Sequence, residues 1–113
     1  MTVTSLPHHV ATMRLFVSAV ARVAGLDMET TDDAKLAVSE LATAIVEAGD
    51  SEYVTLVATP MDGSLQLVLG PWRDGLGEDH EFGALEIAVA LFAGTSVEGE
   101  FVILPIGPSD ADG

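Results

Sequence analysis

The sequence predicts an α+β fold, a two-layer sandwich with helices against one face of a sheet. Three observations predict it. Segments 7–25 and 30–49 carry apolar residues at helical spacing. Segment 53–69 switches to alternation around a turn. The elements run helix, helix, strand, strand, helix, strand, strand, and such blocks indicate helices gathered on one side of a sheet.

At the start of the chain, Thr2-Val3-Thr4 can pair as an edge strand. Pro7 suits the first position of a helix, where its missing N–H leaves nothing unsatisfied. Val10, Met13, Phe16, Val17, Val20 and Ala24 then follow helical spacing to a stop at Gly25, with Arg14 and Arg22 outside the stripe. A second helix opens near Thr30. Thr30 and Asp33 are spaced as a capping box, and Asp32 and Asp33 suit the positive end of the helix dipole. Its apolar face runs Ala34, Ala37, Val38, Leu41, Ile45 and Ala48, ending at Gly49.

Val54, Leu56 and Ala58 alternate with Tyr53, Thr55, Val57 and Thr59, and Leu65, Leu67 and Leu69 resume the pattern after the turn Pro60-Met61-Asp62-Gly63. This predicts a β-hairpin that Pro71 ends. Residues 70–80 read as loop. Phe82 to Ala93 is apolar on nearly every side, with Glu86 its only charge, which predicts a buried helix. Val97 and Phe101 to Ile106, around the turn Glu98-Gly99-Glu100, predict a last strand pair. Residues 1–107 thus form one domain, and 108–113 have nothing to bury and predict a disordered tail.

Composition narrows the function classes. Eighteen acidic residues face only Arg14, Arg22, Lys35 and Arg73, a formal net charge of -14. A field of that sign repels polyphosphates and nucleic acid and favours basic protein surfaces. The absence of cysteine excludes disulfides and thiolate chemistry. No apolar run approaches the ~20 residues of a membrane span, and no signal stretch opens the chain, so the cytoplasm is the expected compartment.

Three stretches carry a resemblance: Pro7 through Met13-Arg14-Leu15-Phe16-Val17 to Leu26, then Asp32 through Ser39-Glu40-Leu41-Ala42-Thr43-Ala44 to Gly49, then Gly83 through Leu85-Glu86-Ile87 to Ala93. With the element order, they make the chain similar to the Bergerat (GHKL) ATP-binding fold of histidine kinases and gyrase. Within that superfamily the chain is similar to the small anti-sigma-factor serine kinases of bacteria. The resemblance implies a mixed sheet, a lid over a nucleotide site, and ATP with magnesium as cofactor.

The chain departs from that family at each nucleotide motif. The family's second helix carries a catalytic Glu and, four residues later, a magnesium-ligating Asn. Glu40 matches the base, but Ala44 stands at the Asn position, and a methyl group cannot ligate a hard cation. The Asp that receives the adenine amino group falls at Pro71, and Asp74-Gly75-Leu76-Gly77 is a displaced version with Leu76 for the first Gly. The phosphate-cradling Gly-x-Gly is reduced to Gly83 beside Ala84, behind a shortened lid crowded by Glu78, Asp79 and Glu81. The remnant cofactor-binding residues are therefore Asp74, Gly77 and Gly83, with Glu40 a vestigial catalytic base and no metal ligand.

Other features have a plain reading beside a functional one. Glu40, Thr43 and Glu47 form a polar stripe on one helical face, either a partner groove or a solvated surface. Asp74 to Glu81 is a solvated acidic loop before it is a cation site, because it lacks alternating ligand spacing. His8 and His9 are adjacent, so their rings are expected to diverge, and His80 has no partner in sequence. Trp72 beside Pro71 either packs inward over the old adenine position or stands out as a binding anchor, and the inward reading is preferred. No nucleophile elbow is present.

The expected function is a non-catalytic regulator of anti-sigma-factor type, without cofactor. Its implied partner is a sigma factor or an anti-sigma antagonist, and the family also implies homodimers. Two alternatives stay open. One is a divergent serine/threonine protein kinase using ATP with magnesium, with Glu40 as base and Asp74 as adenine contact. The other is a sensor domain with a small ligand in the remnant pocket.

Overall fold

Two left-handed glycines delimit the helical layer. Helix α1 (His8–Ala24) ends at Gly25 (φ 79°), where Leu26 N–H closes back on Ala21 O at 3.0 Å. Helix α2 (Met28–Ala48) ends at Gly49 (φ 74°). Both residues adopt a backbone conformation that a Cβ would disfavour. The structure is a computed structural model that describes residues 1–76 and 83–107. The tail expected at 108–113, Gly77, His80 and the lid carboxylates lie outside the described residues.

Helix α2 begins earlier than the capping box at Thr30 predicts. Asp27 is the N-cap, and its Oδ1 accepts the Thr30 N–H at 2.8 Å. The short link from Gly25 leaves Asp27 as the residue in extended conformation, so its carboxylate reaches the free N–H groups first. The face predicted from spacing is buried as expected from Ala34 to Ile45, while Ala48 is exposed. Ala42 and Ala44 are buried as well, because α2 packs against α1, the sheet and the third helix together.

The sheet holds β1 (Thr2–Thr4), β2 (Tyr53–Met61), β3 (Ser64–Gly70), β4 (Ser96–Glu98) and β5 (Phe101–Ile106) in the order β1-β2-β3-β5-β4. Val54, Leu56, Leu65, Leu67, Leu69, Val102, Leu104 and Ile106 point into the core beneath the helices, as the period of two predicts. The expected mixed sheet is corrected: every ladder is antiparallel. The connection through the third helix α3 (Ala84–Leu91) does leave β3 and β4 pointing the same way. However, β5 turns back at Gly99 and inserts between them, so the two never pair.

Helix α3 is shorter than the predicted Phe82–Ala93 and is not buried all round. Ala84 and Ala88 are in the core, while Glu86, Val89 and Ala90 are exposed. It lies at the margin of the helical layer, where α2 covers one side only. The remaining apolar side becomes the wall of a cleft.

Candidate functional site

Helix α2 fixes Glu40 and Ala44 one turn apart. Ala44 is 8% exposed and belongs to the hydrophobic core with Ala84 and Ala88 of α3. Helix α2 packs on α3, and these three alanines all lie in the buried core that the two helices share. Glu40 is half-buried, and among the described residues its carboxylate has no hydrogen bond or ion pair. The polar stripe divides. Thr43 and Glu47 line a groove of about 350 Å³ with Val10 and Arg14 of α1, and Glu40 is not part of it.

After β3 the chain makes a sharp descent. Gly70 has no room for a side chain: an added Cβ would stand 2.6 Å from Glu100 O and 2.7 Å from Phe101 Cδ1. Next to it, Trp72 N–H donates to Glu100 O at 2.7 Å, which pins the loop to the β4–β5 turn. Trp72 is only 3% exposed and packs in the core, so the inward placement preferred from sequence is the observed one. Arg73 points the other way and pairs with Asp50 at the exposed rim. Such a pair adds at most about 1 kcal/mol.

Trp72, Asp74, Gly75 and Leu76 form one wall of a cleft of about 840 Å³. Gly83, Leu85, Glu86, Val89 and Ala90 form the facing wall, with Val97 of β4 at the side. The structure thus brings Asp74 and Gly83 together, two of the remnant motif residues. It does not bring Glu40 or Ala44 to them, for neither lines this cleft. Gly77 and most of the acidic segment 74–81 lie outside the described residues.

The N-terminus of α3 is occupied from within. Gly83 N–H donates to Glu86 Oε1 at 2.9 Å, a carboxylate reaching back one turn to a free helix N–H. Sequence reasoning read Glu86 only as the lone charge of a buried helix. The signal available was Glu at the third helical position after an N-cap glycine. The cleft residues Leu85, Val89 and Val97 were missed because a uniformly apolar helix gives no sign of which side stays uncovered.

The remaining candidates are structural. His9 Nδ1 lies 2.8 Å from Thr4 O, holding the β1–α1 corner. The expectation that His8 and His9 diverge is corrected, because the ring centroids are 4.2 Å apart at 64°. Turning His9 back toward Thr4 swings its edge onto His8. Among the described residues no cluster of three His, Asp or Glu is arranged to hold a metal ion. No helix there is long and apolar enough to cross a membrane.

A family model, the histidine kinase-like ATPase domain, matches residues 3–81. That match covers β1, both long helices, the hairpin and the loop bearing Trp72 and Asp74. No curated protein matches the chain.

Proposed function

Because the chain belongs to the histidine kinase-like ATPase domain family, we propose that it is a regulator of anti-sigma-factor type that holds a protein partner and does not turn over ATP. The observation that carries this reading is Ala44, buried in the core one turn after Glu40, where the family's magnesium ligand stands. Magnesium requires oxygen ligands in near-octahedral array, and a buried methyl group supplies none.

Two further features agree. The Gly83 N–H that a phosphate would use is taken by Glu86, and among the described residues the cleft beside it is lined by two carboxylates and no cation. The residues present do not fit magnesium triphosphate. The partner class is a sigma factor or its antagonist, met in the cytoplasm, and the regulator pairs with itself as family members do. A divergent kinase is the second reading, favoured by the unpaired carboxylate of Glu40. It needs Glu40 and Asp74 to serve one nucleotide, and Glu40 is not among the described residues that line the cleft beside Asp74.

The test is thermal unfolding with and without magnesium-ATP. A ligand at a hundredfold excess over its Kd stabilises the native state by about 2.7 kcal/mol, and in a small domain that lifts Tm by roughly 10 °C or more. No rise is expected for the wild type, nor for Ala44→Asn. A nucleotide-dependent rise in the wild type would overturn this reading in favour of the kinase one, and a rise confined to Ala44→Asn would mean that the rest of the nucleotide site survives.

A further inference from the structure

We propose that the cleft between the Trp72–Leu76 loop and α3 is the docking groove for a partner segment that sets Arg or Lys beside apolar side chains. The proposal rests on the regulator reading and assigns it a contact surface.

Shape comes first. A volume of about 840 Å³ lies within the range of built ligand sites. Its walls are Trp72, Leu76, Leu85, Val89 and Val97, and Val89 and Val97 remain 41% and 39% exposed. The uncovered surfaces of Val89 and Val97 gain free energy when an apolar side chain displaces water from them.

Charge then selects the occupant. Among the described residues of the lining, Asp74 and Glu86 are the charged ones, and both are exposed. Arg73, the nearest cation in sequence, is engaged by Asp50. An acidic or phosphorylated segment would meet two carboxylates without relief. A guanidinium or ammonium would pair with them while its apolar neighbour fills the groove, and the -14 field would speed its approach.

Trp72 is the chain's only tryptophan and lines the groove, so its emission reports occupancy. The full chain is titrated at physiological salt with three short peptides: one of Leu and Arg, one with Glu replacing Arg, one with Ser replacing Leu. The Leu/Arg peptide is expected to shift Trp72 emission saturably, with the other two at least about tenfold weaker. Val89→Glu and Val97→Asp each replace an exposed wall residue and are checked for folding by circular dichroism. Each should weaken the Leu/Arg peptide about tenfold although each adds negative charge, and Asp74→Asn should weaken it as well.

Equal binding of the Ser/Arg peptide would mean diffuse attraction to an acidic surface and overturn the proposal. So would unchanged affinity in both wall variants, or no saturable response. These outcomes leave the regulator reading standing, because that reading falls only with the magnesium-ATP result above.

Discussion

Asp27 sits in the short link between α1 and α2, fully exposed, and caps α2 through Thr30. Hydrogen bonding from Thr30, side chain first and backbone second, holds its carboxyl below the ordinary range. A depressed folded value means that the cap's contribution is fully present above the ordinary carboxylate range and fades as pH falls through the folded value. Asp27→Asn keeps a capping oxygen but cannot titrate. Wild type is expected to be the more stable at neutral pH, with the two urea midpoints converging in acid. A constant gap across that range would mean the charge at this helix end is immaterial. Gly70 poses a different question, because its φ lies outside the left-handed region and it is space that forbids a side chain. Gly70→Ala must push the β4–β5 turn carbonyl and Phe101 aside. A loss of about 1–3 kcal/mol is expected from chemical denaturation, with a change in Trp72 emission as the loop shifts.

At the scale of elements, α3 separates the helical core from the cleft. It packs on α2, and Ala84 and Ala88 on it and Ala44 on α2 all belong to the buried core. Ala88 is fully buried, so a larger side chain there has no free surface to move into. Ala88→Leu is therefore expected to destabilise by about 1–3 kcal/mol through overpacking, read as a drop in unfolding midpoint. An unchanged midpoint would reveal spare volume around Ala88. The opposite side of α3 behaves differently. Val89 forms a cleft wall, so Val89→Glu is expected to perturb folding far less than Ala88→Leu.

Across the whole molecule, charge is segregated along the chain. All 18 acidic residues lie at Asp27 or beyond, while Arg14 and Arg22 lie before it. Helix α1 and β1 are thus free of carboxylates, and repulsion is concentrated in the remainder of the chain. Screening should relieve it. Raising salt from ~0.01 M to ~0.15 M shortens the Debye length from about 30 Å to about 8 Å, and Tm is expected to rise with it. A calorimetric Tm that is flat or falling with salt would mean that local ion pairing outweighs the net charge.

Local pattern in the chain was enough for the helix and strand segments, the inward residues of the hairpin, and the placing of Ala44 one turn after Glu40. These follow from local rules: period 3.6 against period 2, glycine stops, and motif spacing along one helix. Tertiary structure alone decided the antiparallel sheet, because a strand that returns into the gap between β3 and β4 leaves no mark in either strand's pattern. It also decided that Asp74 and Gly83 share a cleft from which Glu40 and Ala44 are absent. Which side of α3 meets α2 and which stays open is a property of packing, and an all-apolar segment such as 84–91 reads the same from either side.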